Sequence, residues 1–181
     1  MIHDAALPHL ATALDGAAMA GLFGRELAPA GHHVLACSVD RIKYRPQRNC
    51  SVSYLLTLRD ARTGALFEQR IGTRWCSGGD SAKRYAKAAA CATMASAAGP
   101  ALSHLPALDL FASWLPNDAK LTALAELLDD RRLRTRWLPE VIGALSGGRG
   151  RLVEHQVALV QWAPEHRVCA RVDLQLRRDG S

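Results

Sequence analysis

The stretch that decides the fold is RIKYRPQRNCSVSY, residues 41–54. Its proline, Pro46, separates two segments of apolar and polar residues, an arrangement typical of two strands joined by a tight turn. The second segment, Cys50–Arg59, alternates best. Its apolar side is formed by Cys50, Val52, Tyr54, Leu56 and Leu58. We therefore predict an antiparallel hairpin with this side buried.

The residues on either side of the hairpin predict a third strand and two helices. Leu66–Cys76 follows a turn and gives the third strand of a meander. Upstream, the leucines at positions 7, 10 and 14 form one apolar stripe at helical spacing. Asp15 is the candidate N-cap of a second helix over Ala17–Leu27.

Downstream of the meander the sequence predicts mainly helix. The Ala-rich segment Ser81–Ala98 predicts a long helix, with Asp80 or Ser81 as its cap. Residues 101–118 contain two prolines and are predicted to be irregular, and further helix is expected over Leu133–Leu145. The predicted fold class is therefore α+β, with an antiparallel meander and flanking helices.

The end of the chain repeats its beginning. Val157–Trp162 and Val168–Leu176 predict a second strand pair, and a shift of 118 residues places it on the first pair without gaps. The leucine stripe and Asp15 recur 114 residues later, ending at Asp129. Because the parity of the strands is kept, the same sides of both hairpins should be buried. We predict a partly repeated fold with units at 1–100 and 101–181.

The second unit is predicted to be an incomplete repeat, because only two strands follow its helices. A two-stranded sheet with an open edge is marginally stable alone. Either it pairs with the first sheet, or the chain is a fragment of something longer.

Composition excludes several classes of protein. Of the 181 residues, 49% are apolar and 22% charged, as in ordinary globular proteins. No run reaches the roughly 18–20 apolar residues of a membrane span, and the N-terminus lacks the pattern of a secretory signal. The five cysteines include no C-x-x-C pair, and their odd number favours reduced thiols. We expect a cytoplasmic protein without a membrane partner.

The net charge of +6 comes from 19 arginines and only 4 lysines. Arginine can bind phosphate through its planar fork of donors, although a compositional bias is the simpler interpretation. The densest run, RRLRTR at residues 131–136, follows two aspartates and is expected to be a solvated helix face. Aromatic residues do not alternate with the arginines as they do in binders of single strands, so nucleic acid is not the favoured partner.

The stretch at 41–54 and its repeat VQWAPEHR, residues 160–167, resemble a turn in aminoglycoside/choline phosphotransferase-like proteins. These proteins have the protein-kinase-like fold, and their N-terminal lobe carries a "basic-Tyr-x-Pro-x-Arg" turn between strands. The resemblance implies a kinase N-lobe-like sheet. It also implies that Arg74, near the place of the family's strand lysine, binds nucleotide together with Lys43, Arg45 and Arg48.

The sequence departs from the pattern of that family at three places. Arg74 stands where a lysine is expected, Ser81–Ala98 contains no glutamate to pair with it, and no His-x-Asp followed by Asn supplies a catalytic loop. The resemblance therefore implies an incomplete or degenerate phosphotransferase N-lobe that has no catalytic or metal-binding residues and does not catalyse alone. ATP and Mg would be cofactors only if a C-terminal lobe or a partner chain supplied the missing groups.

Two other functions remain open from the sequence. A non-catalytic interaction module would pair with itself or with a partner protein through exposed strand edges. An Arg-mediated nucleic-acid binder would lose affinity steeply with salt.

Three local motifs give weaker indications of a site. The loop at 146–150 lacks the P-loop signature. Asp80 opposes an anion at the start of the Ala-rich helix. The adjacent His32 and His33 would point to opposite faces of a strand.

Overall fold

The computed structural model describes residues 4–91 and 94–178, which form two antiparallel sheets with flanking helices. The strands are β1 His32–Arg45, β2 Asn49–Asp60, β3 Leu66–Cys76, β4 Leu102–Leu105, β5 Leu110–Trp114, β6 Gly150–Ala163 and β7 Arg167–Arg178. The helices are α1 Leu10–Leu14, α2 Gly16–Leu27, α3 Asp80–Ala89, α4 Ala123–Leu128, α5 Asp130–Arg132 and α6 Leu138–Ser146. A π-helical turn, Leu133–Trp137, joins α5 to α6. The predicted α+β class, with an antiparallel meander and flanking helices, is confirmed.

The first sheet contains the predicted meander and the main core. Its strand order is β1-β2-β3-β5-β4. The five alternating residues of β2 from Cys50 to Leu58 are completely buried. Against them packs α2, which Asp15 caps by accepting from the N–H groups of Ala17 and Ala18. The opposite face of the sheet carries the intervening polar side chains of β2.

The Ala-rich helix is shorter than predicted. α3 ends at Ala89, residues 92–93 lie outside the described part of the chain, and Met94–Ala98 is not helical. Asn117 fixes this segment, because its side chain accepts from the N–H of Met94 at 2.8 Å and donates to the carbonyl of Met94 at 2.9 Å. A tertiary contact therefore overrides the high helix propensity of alanine.

The cap of α3 also differs from the prediction. Neither Asp80 nor Ser81 caps the helix through its side chain. Instead the carboxylate of Asp109 accepts from the N–H of Gly79 at 2.8 Å and from the N–H of Ser81 at 2.9 Å. Asp109 has a left-handed backbone, with φ of 45°, at the corner between β4 and β5. A residue 28 positions away in sequence thus completes the helix.

Residues 101–118, predicted to be irregular, contain the last two strands of the first sheet. β5 pairs with β3 on one side and with β4 on the other. The boundary predicted at residue 100 therefore does not separate the two sheets, and from here on the first unit is the described chain up to residue 117 and the second unit is residues 118–178. All five residues of β5 are buried, so the strand shows no alternation by which it could be recognised.

The second hairpin repeats the geometry of the first. β1 and β6 each contain 14 residues, and β2 and β7 each contain 12. In both hairpins the register shifts just after the matching pairs, which are Val34 with Leu58 and Leu152 with Leu176. The turn residues Gln47 and Glu165 have positive φ angles of 57° and 61°. The predicted second strand pair is confirmed, and the repeat extends to register and turn conformation.

In each hairpin an aspartate forms hydrogen bonds with the end of the first strand and with the turn that follows it, which we call the corner of the hairpin. Asp4 accepts from the hydroxyl of Tyr44 at 2.7 Å and from the N–H of Gln47 at 2.8 Å. Asp118 accepts from the indole N–H of Trp162 at 3.0 Å and from the N–H of Glu165 at 2.9 Å. Each carboxylate also accepts from the N–H two residues further along the chain. The two copies therefore share an arrangement of side-chain hydrogen bonds as well as the conformation of the backbone.

The second sheet does not pair with the first, so of the two alternatives given for its open edge the structure does not have the shared sheet. It contacts the first sheet through its corner, residues 163–167, which we call the second corner. A Cβ added to Gly72 on β3 would lie 2.6 Å from a Pro164 carbon and 3.0 Å from a Trp162 carbon. Glycine at position 72 therefore permits the close approach of the two units.

The core of the second unit is small. Its buried residues are Leu133, Leu138 and Ile142, packed against partly buried apolar residues of β6 and β7.

None of the helices in residues 4–91 and 94–178 has the length and apolar character needed to cross a bilayer.

Candidate anion-binding site

A groove of about 400 Å³ lies between the first sheet and the second corner. We call it the basic groove. It is lined by Arg41, Ile42, Lys43, Ser51, Ser53, Ala163, Pro164, His166 and Arg167. Four of these nine residues are basic or can become cationic, and none is acidic. The site therefore exists only because the two units pack together.

The strand register explains why basic and hydroxyl side chains share the floor of the groove. Lys43 on β1 pairs with Ser51 on β2, which pairs with Arg74 on β3. Because directly paired residues point to the same face, these three side chains form one row across the sheet. Two residues further along these strands, Arg41 pairs with Ser53 and forms the next row on the same face.

The two units meet most directly at Lys43 and His166. The Lys43 Nζ lies 2.8 Å from the His166 Nε2, so a charged lysine donates to a neutral imidazole. Desolvation, together with the charges of Arg45, Arg74, Arg41 and Lys120, lowers the pKa of Lys43. Desolvation and the charges of Lys43 and Lys120 likewise lower the pKa of His166, although Glu165 opposes this effect. Desolvation is the larger cause of both shifts, and the neighbouring positive charges act in the same direction.

Arg74 lies beside the groove and supports its floor. Its Nη1 donates to the hydroxyl of Ser51 at 3.0 Å and lies 3.5 Å from a carboxylate oxygen of Glu165. Its Nε is buried and has no hydrogen-bond partner. Desolvation lowers the pKa of Arg74, while the nearby Glu165 raises it.

Carboxylates only partly balance these cations. Glu165 lies 3.5 Å from Arg74 and 3.4 Å from Lys120, so one carboxylate is shared by two bases. Asp40 accepts from Arg70 at 3.1 Å and from Ser53 at 3.3 Å. Arg41, Lys43 and Arg167 have no ion pair among the salt bridges of the described residues, so the groove has net positive charge and favours an anion.

The structure brings together two of the four basic residues predicted as binding residues. Lys43 lines the groove and Arg74 supports it. Arg45 and Arg48 are exposed at the first turn and do not line the groove, although the charge of Arg45 lowers the pKa of Lys43. Arg41, His166 and Arg167 were not among the predicted binding residues, because the contact between the units that encloses the groove cannot be inferred from either unit alone.

The other motifs give no comparable site. The start of α3 is occupied by the carboxylate of Asp109. In the arginine run, Arg134 pairs with Asp130 at 3.0 Å and Arg136 with Glu126 at 2.8 Å, as expected of a solvated helix face. Across residues 4–91 and 94–178, no group of three or more His, Cys, Asp or Glu side chains is placed to hold a metal ion.

Comparison of the chain with protein-family models, with curated proteins and with solved structures finds no match. The function is therefore inferred from the geometry and charge of the groove.

Proposed function

We propose that this chain binds the phosphoryl groups of a nucleotide or a similar phosphorylated ligand in the basic groove and does not transfer them by itself. The observation that carries the proposal is the convergence of Arg41, Lys43, His166 and Arg167 around one cavity without a lining carboxylate. The resemblance to a phosphotransferase N-terminal lobe supports nucleotide as the ligand class.

A phosphate fits the donors that the groove provides. Arginine and lysine both form charge-assisted hydrogen bonds with phosphate oxygens, and these are stronger than neutral ones. The hydroxyl of Ser51 accepts from Arg74 and keeps its own O–H as a neutral donor on the floor of the groove, whereas that of Ser53 already donates to Asp40. A bound anion would also favour the charged forms of Lys43 and His166, whose pKa values are lowered by desolvation and by neighbouring positive charges. Binding energy therefore comes from charges that are already positioned.

Transfer of a phosphoryl group would need carboxylates that this site does not offer. The two acidic residues next to the groove-lining residues are Glu165, held by Arg74 and Lys120, and Asp40, held by Arg70 and Ser53. Kinase-like transfer uses a carboxylate to accept the hydroxyl proton and others to hold Mg. We therefore assign binding to this chain and assign catalysis to a C-terminal lobe or partner chain.

Calorimetric titration with ATP in the absence of Mg tests the proposal. We expect Lys43→Ala to weaken ATP binding by roughly tenfold or more, since a hydrogen bond to a charged group is lost. The matched control is Lys83→Ala on α3, whose side chain is 87% exposed and forms an ion pair with Asp80 at 3.6 Å, and it should leave the affinity unchanged. Adenosine should bind far more weakly than ATP. Equal affinity of the wild-type chain and the Lys43→Ala variant, or no ATP binding, would contradict the proposal.

The pH dependence of sulfate binding gives a second test, because sulfate keeps its charge between pH 6 and 8. The pKa of His166 is lowered in the free protein by desolvation and by neighbouring cations. A bound dianion favours the protonated imidazole, so the complex takes up a proton and affinity rises as the pH falls towards 6. His166→Gln should show a much flatter profile. A steep profile that survives this substitution would show that another group titrates.

A further inference from the structure

The second unit has an unpaired strand edge beside an apolar cavity. Among the described residues, β7 pairs only with β6. Next to its first residues lies a cavity of about 330 Å³, which we call the apolar groove. It is lined by Lys120, Leu121, Thr122, Ala123, Leu124, Leu127, Trp137 and Val168.

Because the two units are repeats, the residues that line the apolar groove have counterparts in the first unit. Leu121, Leu124 and Leu127 of the second unit correspond to Leu7, Leu10 and Ala13 at the shift of 114 residues, and Val168 corresponds to Cys50 at 118 residues. The four first-unit residues are 0–3% exposed and belong to the main core.

The covering element in the first unit is β3. It pairs along the whole of β2, from Asn49 with Cys76 to Arg59 with Leu66. Its Trp75 lies directly opposite Cys50, is 2% exposed, and lines a small cavity with Leu7 and Leu10. In the second unit Leu124 is also buried, at 1% exposed, but Leu121, Leu127 and Val168 are only partly buried beside the apolar groove, where no strand corresponding to β3 lies among the described residues.

We propose that the free edge of β7 and the apolar groove together bind an antiparallel β-strand of a partner protein, with a large apolar side chain facing Val168. The backbone groups of β7 supply the hydrogen bonds of strand addition, and the groove selects the side chain. Alternate residues of the bound strand that face α4 and α6 should be apolar, as Phe67, Ile71 and Trp75 are in β3. The strand-edge interaction anticipated from the sequence thus has a defined place and register.

A disulfide-trapping experiment with the full chain tests this register. The probe is a peptide with the sequence of Leu66–Cys76 in which Cys76→Ser removes the native thiol. Cys169 corresponds to Ser51, which pairs with Arg74, so a peptide with Arg74→Cys should place its sulfur opposite Cys169. The peptide thiol is activated as an aryl disulfide. The Cys169 thiolate then forms the mixed disulfide and releases the aryl thiolate.

The protein carries Cys91→Ser, so that Cys169 is the remaining exposed thiol. The other three cysteines react slowly, because desolvation raises the pKa values of Cys37, Cys50 and Cys76 to about 11. We expect the Arg74→Cys peptide to be trapped at least tenfold faster than a Thr73→Cys peptide, whose sulfur would face the opposite side of the sheet.

The groove is tested by a third peptide that combines Arg74→Cys with Trp75→Ala. It should be trapped as slowly as the Thr73→Cys control, because the side chain that enters the apolar groove is missing. All of these changes lie in the peptide, so the fold of the protein is not altered. Equal trapping rates for the three peptides would overturn the proposal.

A second copy of the chain is the competing occupant of this edge. If two copies of β7 paired around Val172, Cys169 of one chain would face Gln175 of the other. In a Gln175→Cys variant without peptide, disulfide-linked dimers would therefore assign the edge to self-association and overturn the proposal. The two positions are six residues apart on one extended strand, about 20 Å, so no bridge can form within a chain.

Discussion

Gly72 is the residue that decides how closely the two units approach. Its Cα hydrogen faces Pro164 and Trp162, and a Cβ at this position would lie 2.6 Å from a carbon of the proline ring. We expect Gly72→Ala to lower the free energy of unfolding by about 1–3 kcal/mol through overpacking. Chemical denaturation followed by tryptophan fluorescence measures this change.

The matched control for Gly72 is Gly21 on α2. A Cβ there meets no atom within 4 Å. Gly21→Ala should leave stability unchanged or raise it by about 0.5–1 kcal/mol, because alanine is the better helix former. A loss in Gly72→Ala no larger than the effect at Gly21 would show that the contact with Pro164 is not needed.

Asp4 and Asp118 show how one residue type can specify a corner. Each carboxylate joins an aromatic side chain of the strand before the turn to the backbone N–H of the residue with positive φ. The hydrogen bonds from Gln47 and Tyr44 lower the pKa of Asp4, while burial opposes them. A non-glycine residue in the left-handed region is disfavoured, so these hydrogen bonds help to fix the turn. Tyr44 of the first hairpin corresponds to Trp162 of the second, and both donate a hydrogen bond to the aspartate.

At the scale of the element, the cap of α3 depends on a distant residue. Asp109→Ala should lower the free energy of unfolding by about 2–3 kcal/mol, since a cap is lost and alanine is disfavoured at a positive φ. Asp109→Asn should lose less, because asparagine tolerates this backbone and still accepts a hydrogen bond. Thermal unfolding of the two variants gives the comparison.

Asp80→Ala is the corresponding control, because Asp80 lies in the first turn of α3 and its side chain is 55% exposed. It should cost less than about 1 kcal/mol, the usual value of a favourable charge at a helix start. If Asp80→Ala lowers the free energy of unfolding more than Asp109→Ala does, then Asp80 and not Asp109 stabilises the start of α3.

The elements that the sequence predicted well are those whose own pattern of apolar and polar residues shows which side is buried. One face of β2 carries five apolar side chains and the other carries mainly polar ones, so the alternation was visible in the sequence, and the apolar face is completely buried as predicted. β5 is buried throughout and only five residues long, and so it resembles a loop in sequence. α3 was predicted too long, because the contact of Asn117 with Met94 has no local signal. Local patterns thus predicted periodic elements, and tertiary contacts decided the rest.

The basic groove follows the same rule. Lys43 and Arg74 were predicted because they belong to the strands of the first hairpin and its neighbour. His166 lies 123 residues from Lys43 in sequence and meets it only through the contact between the units. The repeat predicted a second corner, but a repeat does not indicate where its copies touch.

For the whole molecule, the main consequence of the repeat is that two similar units have very unequal cores. Among the described residues, the main core contains eighteen buried apolar residues, whereas the buried cluster of the second unit contains three. A two-stranded sheet is marginally stable alone, so the second hairpin depends on its contacts with the first unit. These contacts include Gly72 with Pro164, Lys43 with His166, and Arg74 with Glu165.

Native-state hydrogen exchange should therefore reveal two levels of protection. Amides of β6 and β7 should exchange through a partial opening that leaves β2 and β3 protected, because regions with few buried apolar contacts open at lower free energy. Gly72→Ala should accelerate exchange in β6 and β7 at a denaturant concentration where the amides of β2 are unaffected. If the substitution accelerates both sheets equally, or if both exchange only by global unfolding, then the two units form one cooperative structure and the second hairpin does not open separately.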